Sequence, residues 1–476
     1  MKRIFQIALL SMCLLGTSCS DFLDESPKST LTPENSFESA DDWSKILTGA
    51  YAHLQDVFVG KYTITLGEFG TDEVEPYDVG WAAYAELRNY TFSASHAFFN
   101  DHYIYCYDGI KRCNTVIDIP SEAAVKGEAK ELLIAQAKFL RAIFYFDLVR
   151  MYGGVPLWTE SSVDKDQIMK PRATADEVYE QIVKDMTDAE AILPESWTAS
   201  ADKGRATKYA VNALLGRIYL QWGKPAEAYT ALSKVYGKFH LYDNYADIFL
   251  PANKNAEYEN IFEVQFSHSG AWGLEGSIQA SYWGPRNVGG PTNGGGWGGF
   301  GITQYLYDSF DDSDLRKQDF FWTSFNGVVQ TPPCIKKFHD ATYGYEIEDD
   351  DLNFIMIRYA DVLLMISEAL CDMGGDQTQM YDCLNQVRSR AGLPAITAAN
   401  NLTTEQFKSL LLEERLHELC CEHLRRWDLL RFGKLFDQLE VAYSGTLTLA
   451  PYHVLYPIPQ TAIDANDAIT ENNPGY

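Results

Sequence analysis

RATKYAVNALLGRIYLQWGKPAEAYTALSKVY, residues 205–236, reads as two helices joined by a tight turn. The first carries Tyr209, Ala210, Val211, Ala213, Leu214, Leu215, Ile218, Tyr219 and Leu220. It is apolar nearly all round, so it should be buried on most sides. Ala210, Ala213 and Gly216 are small and three apart, which lets a neighbouring helix come close. Gly223 suits a left-handed C-terminal cap, and Pro225 stands where a new helix can start. The second helix keeps Ala228, Tyr229, Leu232, Val235 and Tyr236 on one stripe.

A small-residue helix, a glycine turn and an Ala-x-x-Ala-Tyr helix resemble a tetratricopeptide repeat. One such pair cannot bury its own faces, so others should stack on it. The chain supplies candidates. Helices are expected over Pro33–Gln55, Asn100–Ile119 and Glu128–Tyr152, and from the capping box Thr174-x-x-Glu177 to Leu193. Ile357–Asp372 and Met380–Ala391 form another hairpin around Gly374-Gly375, and Thr403-x-x-Gln406 opens a long charged helix reaching about Phe432. Two stretches break the pattern. Gly60–Thr91 reads as irregular, and Trp272–Gly301 is glycine-rich and holds several tryptophans; between them IFEVQFS is strand-like. The tail from Tyr456 to Tyr476 reads as an extended strap. The expected fold is mostly α: a scaffold of helical hairpins with long irregular loops and minor β.

The chain has 476 residues, a net charge of −27, 29 Tyr and 10 Trp. No basic stripe is available for phosphate-backbone binding, so nucleic acid is excluded as a partner. Aromatics beyond the needs of a core point to binding. Lys2, Arg3, the apolar run Ile4–Leu15 and Gly16-Thr17-Ser18 before Cys19 read as an export signal, residues 1–18, too short to span a membrane. They resemble a bacterial lipoprotein signal with Cys19 as the lipidated residue, although Leu15 lies one position further from Cys19 than is usual. Asp21, Asp24 and Glu25 make the following tether acidic. Seven cysteines then remain, an odd number without regular spacing, which argues against a disulfide framework and for small core residues.

Several blocks resemble the SusD/RagB family of surface glycan-binding lipoproteins. They are AQAKFLRAIFYFDLVRMYGGVPL (135–157), IRYADVLLMISEAL (357–370), LNQVRSRAGLP (384–394), EERLHELCCEHLRRWDLLRFGK (413–434) and YPIPQTAIDANDAITENNPGY (456–476), with LTGAY (47–51) and residues 205–220 in the family's order. Cys420-Cys421-Glu422-His423 departs from the family's usual Ala-Phe-Glu-Gly. The resemblance implies a single SusD-like domain over 19–476, with loop insertions near 60–95 and 240–350. It implies four tetratricopeptide-like helix pairs, a ligand site on irregular loops and no catalysis or cofactor. It also implies an outer-membrane lipoprotein exposed at the cell surface. Such a protein captures polysaccharide for nutrient uptake through a SusC-type TonB-dependent transporter. A peptide-binding member of the family and an extracellular glycosidase are the alternatives.

Flat rings offer their faces to the C–H groups of sugar rings at modest ordering cost. Trp81, Tyr84 and Arg88 in the first loop segment, with Trp272, Tyr282 and Trp283 in the second, are therefore the expected ligand contacts. Trp297 reads as scaffold. His417 and His423 lie about 240° apart around a helix, so they do not form a metal pair. Asp308, Asp311, Asp312 and Asp314 lack EF-hand spacing and read as a capped turn. Glu413, Glu414, Arg415, Glu418, Glu422, Arg425 and Arg426 read as i,i+4 ion pairs and buried charge partners. No nucleophile elbow or phosphate loop is present.

Overall fold

The computed structural model describes residues 39–58, 61–77, 81–121, 123, 125–161, 168–268, 276–286, 288, 296, 298–340 and 349–476. Cys19, Trp272 and Trp297 lie outside the described residues, as does the first turn expected for the N-terminal helix. More than half of the chain is helical, with 17 α-helices among the described residues. Three antiparallel strand pairs supply the sheet there.

The quoted stretch forms the helices Lys208–Gln221 and Pro225–Ser233. Ala210 through Ile218 are all buried in the first. A Cβ on Gly216 would stand 2.3 Å from Leu232, so glycine is what lets the two helices touch. Gly223 takes φ +76° and Pro225 opens the second helix. This pair is one of four. Ala40–Phe58 packs on Ala97–Ile117, Gly127–Tyr152 on Ala175–Ile192, and Tyr359–Met373 on Gln377–Arg390. Successive pairs stack. Ala97–Ile117 lies on Gly127–Tyr152, Ala175–Ile192 on Lys208–Gln221, and Pro225–Ser233 on Tyr359–Met373. The Arg141 guanidinium forks onto the Asp185 carboxylate at 2.7 and 2.8 Å, pinning the second pair inside its core.

The Thr174 and Thr403 capping boxes form as expected, and Asp314 caps the helix Leu315–Phe320 as its acidic cluster implied. The seven cysteines are free, six of them buried. Cys106 and Cys113 share one helix two turns apart, about 10 Å, too far for a bridge.

Three expectations are corrected. Gly60–Thr91 is not irregular throughout: it holds the helices Lys61–Glu68 and Ala82–Asn89 and the strand Val74–Pro76. Ile357 and Arg358 belong to the strand Phe354–Arg358, and the helix begins at Tyr359. The charged helix stops at Leu419, and a second starts at Arg425.

Buried ions explain that last break. The Lys337 ammonium donates to the carbonyls of Glu418 at 3.2 Å and Cys420 at 3.0 Å, and Arg358 donates to the Glu418 carbonyl at 2.7 Å. The backbone N–H of Cys421 goes to the Glu73 carboxylate, and that of His423 to Glu68. These partners replace the next helical hydrogen bonds, and Cys421 and His423 turn to positive φ. The charged side chains are likewise not paired one turn away. Glu418 meets Arg316, Arg358 and Arg390, Glu414 meets Arg316 and Arg388, and Glu422 meets Lys337 and Arg358. Glu259 joins through Arg358 and Arg390, and Asp314 through Arg316. Five cations thus face five carboxylates in one connected network. The three arginines beside Glu418 hold its carboxyl down at about 2 against burial.

Candidate aromatic binding site

The two loop segments singled out in the sequence meet through a short strand pair. Val74–Pro76 runs antiparallel to Phe300–Ile302, with Val74 opposite Ile302 and Pro76 opposite Phe300. The Tyr77 N–H extends the ladder to the Gly299 carbonyl at 3.1 Å. Phe300 is buried at the centre. Its ring centroid lies 5.3 Å from Phe69, 6.0 Å from Tyr84, 4.9 Å from Tyr282 and 5.4 Å from Trp283. One ring therefore receives both segments, and its neighbours are arranged edge-to-face or tilted.

Trp81 stands just before Ala82–Asn89 and remains 44% exposed. Its ring meets Tyr84 edge-on at 4.8 Å and Phe98 at 6.2 Å. The helix is anchored by His96. That imidazole accepts the Phe98 N–H at Nδ1 and donates from Nε2 to the Ala83 carbonyl at 3.0 Å. Burial keeps its pKa below the ordinary histidine range, which favours this neutral form. Tyr282 is half-buried in the short helix Gln279–Trp283.

Tyr84 and Trp283, by contrast, are 2% and 1% exposed. Both rings are consumed in packing around Phe300 and cannot offer a face to a ligand. Arg88 also serves elsewhere: its guanidinium lies 4.6 Å from the Tyr443 ring, donates to Asn89 and faces Glu75 at 3.6 Å. It ties Ala82–Asn89 to the C-terminal part of the scaffold. Trp272 lies outside the described residues.

The sequence reading did not assign Tyr77, Arg286 and Phe300 to the site. The Arg286 guanidinium stacks 3.1 Å from the centre of the half-buried Tyr77 ring and donates to the Pro332 carbonyl at 2.9 Å. Burial raises the Tyr77 phenol above its usual range, so it is neutral at pH 7. A Cβ on Gly301 would fall 1.7 Å from Cε2 of Tyr77, which makes glycine the condition for this ring position. Gly301→Ala is expected to expel Tyr77 from Arg286 and cost about 1–3 kcal/mol of stability. Thermal unfolding of the variant checks it; an unchanged midpoint would refute this role for Gly301.

Among the described residues, His102, Cys106 and Asp147 lie close enough to hold a metal ion. Their valences are already used: His102 bonds Asp147 at 2.6 Å and Tyr152 at 3.2 Å, and Arg150 sits on the other Asp147 oxygen. A second cation beside Arg150 would be repelled.

The chain is similar to known proteins along nearly its whole length. A family model described as "SusD family" matches residues 326–476, and one described as "Starch-binding associating with outer membrane" matches residues 21–220. SusD-like protein P25 of Formosa agariphila is 26% identical over 530 aligned positions, covering 99% of each chain. SusD-like protein P2 of the same organism is 27% identical over 517 positions, covering 100% of each. A solved structure described as a "Laminarin binding SusD-like protein" superposes with a TM-score of 0.78 at 25% identity, covering 92% of this chain and 99% of that one. Surface glycan-binding protein A from Bacteroides fluxus shares the fold at a TM-score of 0.77 and 24% identity, covering 92% of this chain and 100% of that one. Four stacked helix pairs, the matched N- and C-terminal regions and these full-length likenesses lead to one assignment: the chain belongs to the SusD/RagB family.

Proposed function

We propose that this protein is a non-catalytic glycan-binding lipoprotein of the outer membrane. It captures oligosaccharide or polysaccharide at the cell surface and passes it to a SusC-type TonB-dependent transporter. A lipid on Cys19 would hold it there, with residues 19–476 acting as one domain. The observation that carries the reading is the meeting of both loop segments at Phe300: exposed Trp81 packs on Tyr84, which meets Phe300, half-buried Tyr282 meets Phe300 directly, and Tyr77, stacked on Arg286, lies against Gly301. Ring faces, a phenol and a guanidinium suit the C–H groups and hydroxyls of a sugar chain. The laminarin-binding neighbour and the starch-binding family description support a glycan rather than a peptide. Trp272 stays in this proposal on its sequence position alone.

The test uses the soluble chain beginning after Cys19, run in native gels cast with laminarin, starch, xylan, mannan or pectin. One polysaccharide class should retard it. Trp81→Ala should weaken that binding by at least tenfold, roughly 1.4 kcal/mol or more, and take hexasaccharide binding there below detection, at unchanged stability. Trp283→Ala should instead destabilise the fold by about 3–5 kcal/mol. Retardation by no polysaccharide would sink the glycan reading, and retardation insensitive to Trp81→Ala would sink the site.

A further inference from the structure

A second cleft, built from different elements, is left unused by the site around Phe300. It has a volume of about 820 Å³ and lies between the 236–243 loop and the helix Gln377–Arg390. That size fits a small ligand such as a short oligosaccharide.

Its two walls differ in chemistry. The loop wall presents aromatic rings. Tyr236 and Tyr242 are half-buried, and His240 is exposed. Tyr242 is backed by Tyr258, whose ring centroid lies 4.6 Å away, with the His240 ring 5.4 Å from Tyr258. The helix wall presents short polar groups. Asp382, Gln386 and Ser389 are exposed and recur at i, i+4 and i+7, so they share one face. Tyr236 and Gln386 both line the cleft, one from each wall.

The floor is rigid and electrically neutralised. The Tyr359 hydroxyl accepts the Gly237 N–H at 2.8 Å, fixing the start of the loop. Arg390 is held by Glu259 and Glu418, each at 2.6 Å, within the buried ion network, so its charge is already balanced. Asp243 and Asp382 stand at the rim as exposed carboxylates. An anionic ligand would meet like charge there without an unpaired cation to hold it. A purely apolar ligand would strand Asp382, Gln386 and Ser389 against a surface that cannot accept or donate. Ring faces opposite hydroxyl, amide and carboxylate groups match a neutral polyhydroxylated chain.

We propose that this cleft is a second binding site for a short run of neutral sugar residues. The inference rests on the glycan-binding reading above and extends it: one chain would hold a polysaccharide at two separate places. Linked sites convert the second contact into an intramolecular one, so a long polymer would be held far more tightly than a fragment.

The test is titration calorimetry of the soluble chain with a hexasaccharide cut from whichever polysaccharide retards it most. Wild type should bind two hexasaccharides per chain. Trp81→Ala and Gln386→Arg should each bind one, and the combined variant none. Gln386 is an exposed helix residue, so the arginine blocks the cleft without disturbing the core; Tyr242→Ala provides the same test by removing a ring. Retention on the intact polymer should fall at least tenfold in Gln386→Arg, with hexasaccharide affinity at the Trp81 site unchanged. A stoichiometry of one in wild type, abolished by Trp81→Ala and indifferent to Gln386→Arg and Tyr242→Ala, overturns the second site and leaves the first standing. Binding of no saccharide at either place overturns both.

Discussion

Arg358→Met is expected to destabilise the protein by about 4 kcal/mol or to abolish soluble folding, because it removes one charge from a balanced buried set. All five N–H groups of Arg358 are used. Nε and Nη2 fork onto Glu422 at 2.8 and 2.9 Å, Nη1 reaches Glu259 at 2.9 Å and Glu418 at 2.7 Å, and Nη2 holds the Glu418 carbonyl. Arg358, Glu259 and Glu418 are essentially inaccessible to water. Methionine preserves much of the volume but leaves three carboxylates short of a cation and the Glu418 carbonyl short of a donor. Arg358→Lys keeps the charge without the fork and should fall between the two. Urea unfolding of the three proteins measures the order. Lys45→Met, which breaks an exposed pair with Asp41, serves as the contrast and should leave the midpoint unchanged. Equal midpoints for Arg358→Met and wild type would mean that the network contributes nothing to the fold.

The second large effect concerns pH. Glu68 and Glu73 are buried and share a hydrogen bond where the N-terminal segment meets the turn after Leu419. Burial, followed by the neighbouring Glu73 charge, pushes the Glu68 carboxyl well up. Burial lifts Glu73 to about 7, opposed by its hydrogen bond from Glu68 and by Arg425, and reinforced by Asp72. The folded pair therefore keeps protons that the unfolded chain releases above about pH 4.5. For Glu73 the destabilising effect is absent at lower pH, grows as pH rises through this window, and saturates above about 7. For Glu73 alone this amounts to about 3 kcal/mol. Glu73→Gln retains an acceptor for the Cys421 N–H and cannot ionise. Its melting temperature relative to wild type should rise from pH 5 to about pH 7 and level off above it. A difference that stays flat with pH would show that the two carboxyls titrate normally.

The helix pairs were legible in the sequence because their signals are local. The apolar run from Tyr209 to Leu220, the Gly223–Pro225 turn and the Thr174 and Thr403 caps each act within one or two turns of chain. The end of the Glu/Arg helix was not legible. Nothing near Leu419 stops a helix; Lys337, Arg358, Glu68 and Glu73 do so from distant positions by taking the backbone groups that the next turn would use. Three-residue strands such as Val74–Pro76 are too short for period-two alternation to register. The candidate site was half legible. Aromatic loops marked two segments that the fold brings together at Phe300, and Trp81 is exposed. Tyr282 and Trp283 are adjacent and both meet Phe300, and only the folded surroundings, which also set Phe338 against Trp283, bury one and leave the other half-buried. Arg88 looked available until Tyr443, over 350 positions later, was brought beneath it.

The pairing of Val74 with Ile302 also orders events in folding. Several helix hairpins between those positions need only local contacts and can form early, whereas this ladder closes a loop that contains them and carries a high contact order. The aromatic platform is thus a late structure. Ligand binding therefore reports the completed fold, whereas helical content alone reports its early, local part.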